Sequence, residues 1–227
     1  MPPAAPLPAP DGNAPPPGCA WYGKLPGVGD FAARRMPYGL QQFWDRWGAA
    51  GLEALAALHA QRLPEVWQHM PPWAFLLPEQ PAIAHSQLGV WAPSCDRVGR
   101  KFPLVVTLPL GRADLPALLP HASALAHAWA AVIGQAQRER WPADLLDQQL
   151  EATGQEALHG PHDTEDPEQT LPRGASPATL PWPNLPSTFD PGGTLSYWWS
   201  VPAHLTGFRA RQHEGPLDSA LALGLSQ

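Results

Sequence analysis

The sequence predicts an α+β protein whose central antiparallel sheet is flanked by helices. Apolar residues recur with helical spacing in two long segments, and several short runs rich in Trp, Val and Leu have strand character. Two of those runs are separated by only a short polar, glycine-containing segment, which is typical of a hairpin. With 44% hydrophobic residues and 11 Trp in 227 residues, the chain is large enough for one full core.

The first 19 residues form a Pro/Ala-rich tract, which we expect to be a disordered leader because it cannot bury enough apolar surface to offset the entropy of ordering. The main domain is expected over 20–152. It begins with a strand in AWYGKLP that ends at Pro26, and the glycines of GVGDF then predict a turn.

A helix over 37–61 follows, with Pro37 in its first turn and Trp44 and Trp47 on its apolar stripe, where we expect them to pack in the core. Gly51 within this helix indicates a close contact or a bend. Three strands come next, in WAFLLP, SQLGVWAPS and RKFPLVVTLPL. The last two predict a hairpin with its tip at 95–99, in the centre of the sheet.

The second half of the chain alternates helical and irregular segments. The spacing predicts a helix from Pro120 to about Arg140 and a short one beginning at Pro142. Residues 153–227 are expected to be a Pro-rich extension, with a strand around 194–200 that packs on the domain and a short terminal helix in LDSALALGL. Within it, 154–193 is predicted to be a surface loop or partly disordered.

Charge and targeting signals exclude several classes of function. The net charge is −6 and the basic residues form no dense run, so neither a nucleic-acid footprint nor a polybasic membrane patch is expected. No secretory signal is recognisable and no apolar run approaches a membrane span, so we expect no membrane insertion and a cytoplasmic location. Cys19 and Cys95 are predicted to be free thiols.

No set of residues has the spacing of an enzyme site. The glycine loop GVGDFA lacks a Lys after its glycines, since Lys24 precedes them. The nine histidines are dispersed, without carboxylates or cysteines at metal-binding spacing. Cys95 has no nearby His as its base. We therefore expect no catalytic residues, cofactor or metal, and keep a nucleotide-binding or cysteine-dependent enzyme as an alternative.

The tip of the predicted hairpin carries charge in a chain where charge is scarce. In a structural interpretation Asp96 accepts backbone N–H groups, Gly99 adopts a positive φ, and an arginine pairs with Asp96 or Asp30. In a functional interpretation the tip is a small basic patch for an acidic or phosphorylated partner, formed by Arg97, Arg100 and Lys101.

Taken in order, the motifs WYGKLPGVGDF, FWDRW, PSCDRVGRKFPL and SYWWS resemble the TagF (ImpM) family of bacterial type VI secretion systems. The resemblance is strong over about 20–110, thinner to 152, and beyond that limited to the paired Trp198-Trp199. The first family motif corresponds to Gly23, Lys24, Leu25, Pro26, Gly29, Asp30 and Phe31. The second corresponds to Pro93, Ser94, Asp96, Arg97, Gly99, Arg100, Phe102, Pro103 and Leu104.

The resemblance implies a longin-like sheet with flanking helices and a non-enzymatic role as a post-translational repressor of type VI secretion. It also implies contact with a cytoplasmic scaffold that carries a forkhead-associated domain, in some systems alongside a protein phosphatase. The candidate contact residues are Lys24, Asp30, Asp96, Arg97 and Arg100. The structural signature comprises Gly23, Gly29, Phe31, Trp44, Trp47, Ser94, Gly99, Phe102, Pro103, Trp198 and Trp199. A structural subunit of the secretion apparatus is the alternative.

Overall fold

The computed structural model describes residues 18–81, 83–159, 180–201 and 208–227. Within these ranges seven strands form one antiparallel sheet in the order β2-β1-β5-β4-β3-β6-β7. The strands are β1 Ala20–Gly23, β2 Ala32–Arg34, β3 Trp73–Leu77, β4 Ser86–Ala92, β5 Leu104–Leu110, β6 Leu195–Ser200 and β7 Ala210–Glu214. The predicted antiparallel sheet is confirmed.

Helices cover both faces of this sheet, as predicted. They are α1 Tyr38–His59, α2 Leu63–His69, α3 Leu115–Leu118, α4 Ala122–Glu139, α5 Ala143–His159, α6 Leu185–Thr188 and α7 Ser219–Leu225. One apolar core joins α4 and α5 to one face, and a second joins α1, α2 and α7 to the other. The molecule therefore has three layers, with the sheet in the middle.

The predicted hairpin of β4 and β5 lies at the centre of the sheet, with Leu88 opposite Leu108 and Ala92 opposite Leu104. Successive side chains of a strand point to opposite faces. On the neighbouring β3, Leu76 enters the α4 and α5 core, whereas Phe75 enters the α1 core. Because both faces are covered, these strands are apolar almost throughout rather than alternating with polar residues.

The tryptophans predicted to be structural lie in the two cores. Trp44 and Trp47 are buried on α1, where their rings contact Phe75 and Trp198. Trp198 and Trp199 are adjacent in β6, so their rings enter opposite cores. The paired Trp of the last motif thus ties the C-terminal strand to both layers of helices.

Several elements were missed or misjudged by the sequence analysis. The strand β2 has only three residues, and β7 is a mostly exposed edge strand of polar residues, so neither has a detectable apolar pattern. The helix α2 was not predicted. The prediction that 154–193 is a surface loop or partly disordered is wrong for its first residues, because α5 continues to His159 and its Gly154 packs against Trp129. The predicted leader over 1–17 and residues 160–179 lie outside the described residues.

The expectation that no apolar run approaches a membrane span needs correction. Leu115–Glu139 is long and apolar enough to cross a membrane: an 18-residue stretch of it has a mean hydropathy of 1.3, and half of that stretch is buried inside the protein. Its apolar residues, among them Leu125, Trp129 and Ile133, pack against the sheet.

Candidate functional site

The charged residues of the two motifs lie at one end of the sheet. One group belongs to the loop between β1 and β2, residues 24–31, which we call the first loop. The other belongs to residues 93–103 between β4 and β5, which we call the hairpin tip. Because β1 and β5 are neighbours and Gly23 lies opposite Leu104, the first loop and the hairpin tip leave the sheet side by side.

Asp96 is the centre of this junction, and its side chain is completely buried. One carboxylate oxygen, Oδ2, accepts the Lys24 ammonium at 3.1 Å and the Arg100 guanidinium at 2.6 Å. The other, Oδ1, accepts the backbone N–H groups of Val98 at 3.1 Å and Arg100 at 2.9 Å. A buried charge is tolerated when opposite charges and hydrogen bonds surround it, and this carboxylate has both.

The environment of Asp96 keeps it ionised. Burial by itself would raise the pKa of the carboxyl, but the backbone N–H of Arg100 and the side chains of Lys24 and Arg100 outweigh it. The pKa is therefore held below its ordinary value. A carboxyl in this state neither donates nor accepts a proton near neutral pH, so Asp96 is unsuited to general acid or base chemistry.

Further contacts fasten the first loop to the hairpin tip. The Arg97 N–H donates to Val28 O at 2.8 Å, the Arg100 guanidinium donates to Gly29 O at 2.9 Å, and the Ser94 hydroxyl donates to Lys24 O at 2.7 Å. The Phe31 and Phe102 rings meet edge to face at 4.8 Å, and the Lys24 ammonium lies 5.0 Å from the centre of the Phe31 ring. The two motifs therefore form one structural unit.

Two glycines of the motifs are required by the backbone. Gly99 has φ +87°, which a turn in the left-handed region demands. Gly23 has φ +142°, and a Cβ there would overlap the Pro103 carbonyl oxygen of the neighbouring strand end. The predicted positive φ at Gly99 is confirmed, and the contact at Gly23 explains why no side chain fits between the two motifs.

The structure separates the five candidate contact residues by their burial. Lys24 and Asp96 are buried and their charges are used inside the junction, and their contact with a partner stays a prediction. Asp30, Arg97 and Arg100 are exposed, and their contact with a partner stays a prediction. Asp30 accepts the Phe31 N–H rather than an arginine, so the arginine of the structural interpretation is Arg100, paired with Asp96.

Residues outside the motifs support the hairpin tip from two helices. On α2, the Trp67 indole N–H donates to Ser94 O at 2.9 Å. At the end of α4, Gln137 donates to Pro93 O at 2.9 Å and Arg140 donates to Arg97 O at 3.2 Å. None of these three contacts is predictable from the sequence, because no local pattern relates these positions to a hairpin far away in the chain.

A groove of about 870 Å³ runs between α2, the hairpin tip and α4. Its lining includes Trp67, Met70, Ala130 and several prolines, and its polar side chains include Lys101 and Arg138. Cys95 also lines it and is partly exposed, whereas Cys19 is buried, and burial raises the pKa of that thiol to about 11. The described residues contain no group of three or more His, Cys, Asp or Glu that could hold a metal ion.

The fold and the junction define an α+β protein in which the charged motif residues join two loops. The model of a protein family described as TagF N-terminal domain, type VI secretion system-associated, matches residues 20–153. The chain therefore belongs to the TagF family, and it is a type VI secretion system-associated protein.

The whole fold is similar to that of a solved structure. The chain resembles the protein PA0076 from Pseudomonas aeruginosa PAO1, a crystal structure at 2.05 Å resolution, with a TM-score of 0.61 and 25% sequence identity. The similarity covers 91% of this chain and 94% of that one, so the shared fold includes the C-terminal strands beyond the family match. No curated protein matches the chain.

Proposed function

We propose that this protein is a non-enzymatic, post-translational repressor of a type VI secretion system. It acts in the cytoplasm by binding a scaffold component that carries a forkhead-associated domain, in some settings alongside a protein phosphatase. Membership of the TagF family supports the link to secretion. Repression by contact and the identity of the partner are the proposal.

One observation carries the proposal: the motif charges hold the protein's own loops together and leave an exposed surface around them. Lys24 and Arg100 neutralise the buried Asp96, so this carboxylate is not free to act on a substrate. Arg97 extends from the same junction into solvent, and no ion pair of its side chain is found within the described residues. Such a rigid surface suits recognition of another protein.

Deletion of the coding sequence tests repression in the native bacterium. We expect more type VI substrate in the culture supernatant, measured by immunoblot, and a return to the original level when the wild-type protein is supplied. A structural subunit gives the opposite result, because its loss abolishes secretion. Unchanged or abolished secretion would therefore contradict the repressor proposal.

A pair of variants tests the contact surface. Arg97→Ala removes an exposed cation of the hairpin tip. Arg112→Ala removes an exposed cation beyond the other end of β5, where solvent screens its ion pair with Glu79. We expect Arg97→Ala alone to weaken both repression and recovery of the scaffold in a pull-down, with an unchanged melting temperature. Equal behaviour of the two variants would place the contact elsewhere.

A further inference from the structure

We propose that the groove between α2, the hairpin tip and α4 binds an acidic peptide segment of a partner protein that inserts one or two large apolar side chains. The inference rests on the proposed function in one respect, that the protein acts by contact with another protein. Beyond the proposed function, the groove is named as the binding surface, and an acidic segment with large apolar side chains is named as what it recognises.

The walls of the groove are apolar and held rigidly. Trp67 is fixed by its hydrogen bond to Ser94 O, and Pro93 is held by Gln137, so two opposite walls are tied to the same hairpin tip. On α4 the wall includes three small residues, Ala130, Ala131 and Gly134, beside the longer side chains of His127, Gln137 and Arg138. A volume of about 870 Å³ exceeds that of a single side chain and fits a short peptide segment.

The rim of the groove is basic in a protein of net charge −6. Six of the 14 Lys and Arg residues lie in the three short segments 24–31, 94–101 and 137–141, together with only three acidic residues. Six cations against three acids leave these segments with a net charge of +3, although one of the cations, Lys24, is buried against Asp96. The positive charge of this end is therefore not cancelled locally.

Two cations line the groove itself, and the charge of one of them, Arg138, contributes to lowering the pKa of the neighbouring Glu139 carboxyl. Lys101 and Arg138 line the groove, and neither forms an ion pair within the described part of the chain. By contrast, Arg34, Arg35 and Arg112 each pair with an acidic side chain of this protein. Complementary charge steers association and selects the partner, so this rim favours Asp and Glu beside the inserted apolar residue.

The walls favour a peptide over a nucleic acid. Single-stranded nucleic acids need aromatic faces on which bases stack, in addition to a positive groove. Of the two aromatic rings among the described lining residues, Trp67 is 6% exposed and offers almost no free face, and the single His127 imidazole does not form a row of stacking faces. Apolar walls with charge confined to the rim are instead typical of a site for an apolar side chain flanked by charges.

Selection of short random peptides displayed on phage, with the full-length protein immobilised, tests the inference. We expect enrichment of sequences in which an aromatic or large aliphatic residue is flanked by Asp or Glu. The enriched peptides are then synthesised with a fluorescent label, and their affinities are measured by anisotropy. No enrichment, or enrichment without acidic residues, would overturn the inference.

Two variants and their matched controls locate the binding. Ala131→Trp fills the groove from an exposed position of α4, and Ala50→Trp makes the same change at an exposed position of α1. We expect the first to weaken binding about tenfold or more and the second to leave it unchanged. Arg138→Glu should lower the affinity for acidic peptides more than the affinity for neutral ones, whereas Arg46→Glu on α1 should not show this difference.

Three further measurements test other occupants. A labelled oligonucleotide that binds and competes with the peptides would assign the groove to nucleic acid. Competition by a peptide of the chain's own residues 162–171, HDTEDPEQTL, more strongly than by any selected peptide would assign it to this chain. Self-association that Ala131→Trp abolishes would assign it to a second copy. Each of these results overturns the inference.

The secretion assay separates this inference from the proposed function. If deletion raises secretion but Ala131→Trp represses as well as the wild type, the repressor proposal stands and the groove is not its contact surface. If deletion leaves secretion unchanged while selected peptides bind the groove and not the filled variant, the peptide site stands and the repressor proposal falls.

Discussion

At the scale of single residues, some contacts of Asp96 depend on the local turn and others depend on residues far away in the chain. Its hydrogen bonds to the N–H groups of Val98 and Arg100 follow from a turn, so a local pattern could predict them. Its pairing with Lys24 could not be predicted, because β1 and β5 must first become neighbours. The same holds for the Ser94 hydroxyl and Lys24 O, which are separated by 70 residues.

Asp96→Asn tests this cluster through its dependence on pH. Folding lowers the pKa of the Asp96 carboxyl, so the stabilisation from its charge is present above its unfolded value of about 3.9 and is lost as the pH falls toward the folded value. We expect the variant to melt below the wild type by a constant difference from about pH 5 to pH 8, and by a smaller difference below about pH 4.

Differential scanning fluorimetry of both proteins across this range provides the measurement. Other carboxyls with lowered pKa, among them Glu79 and Asp147, titrate in both proteins and cancel in the comparison. A difference in melting temperature that persists unchanged down to pH 3 would contradict an ionised Asp96.

At the scale of elements, the packing of α7 on α1 explains a glycine that helix propensity disfavours. The indole N–H groups of Trp47 and Trp73 donate to carbonyl oxygens of Asp218 and Leu225 at the two ends of α7. Between these bonds a Cβ on Gly51 would lie 2.8 Å from the Ala222 Cβ. Of the two interpretations offered by the sequence, the close contact is therefore the one that the structure supports.

Gly51→Ala and Gly39→Ala make the same change in α1 with opposite expected signs. The first forces α7 away, and we expect it to destabilise the protein by about 1–3 kcal/mol. The second meets no atom within 4 Å, so the higher helix propensity of Ala should stabilise the protein by up to about 1 kcal/mol. Urea denaturation provides both values.

The added substitution Ala222→Gly tests whether Gly51→Ala destabilises the protein through α7. In the double variant Gly51→Ala/Ala222→Gly the two Cβ atoms no longer meet, so the double variant should lose less stability than the sum of the single variants. Additive losses would show that Gly51 is required for another reason.

At the scale of the whole molecule, one sheet serves two cores. The tryptophans are divided between them, with Trp21, Trp129, Trp141 and Trp199 in one core and Trp44, Trp47, Trp67, Trp73, Trp91 and Trp198 in the other. The strands β3 and β4 contribute alternate residues to each core. Neither layer of helices can therefore be lost without exposing a face of the same strands.

Leu125→Ala tests whether this shared sheet makes unfolding cooperative. Leu125 is fully buried in the α4 and α5 core, so its truncation should cost about 2–5 kcal/mol. We expect the slowest-exchanging amides of α1, on the opposite face, to lose as much protection as those of α4. Hydrogen exchange followed by mass spectrometry measures both helices in one experiment.

The control for this experiment is Gln135→Ala, at an exposed position of α4, which should change neither helix. Loss of protection confined to α4 and α5 would contradict a single cooperative unit and would indicate that the two layers unfold separately.

The sequence by itself determined the fold class, the central hairpin, the helices with apolar periodicity and the family, because these depend on patterns within a few residues or on ordered motifs. The edge strands β2 and β7 were not predictable, since an edge strand with one free side needs no apolar alternation. The longin-like comparison and the partner stay predictions.

Only the tertiary structure decided which motif charges are buried and which are exposed. Lys24, Asp96 and Arg97 are all charged residues of the two motifs, and the sequence does not distinguish them by burial. In the structure Lys24 and Asp96 are enclosed in the junction, whereas Arg97 is exposed. The groove likewise required three distant segments, α2, the hairpin tip and α4, to be brought together. Burial and enclosure depend on which elements become neighbours. In the junction, the pairing of β1 with β5 brings the first loop next to the hairpin tip.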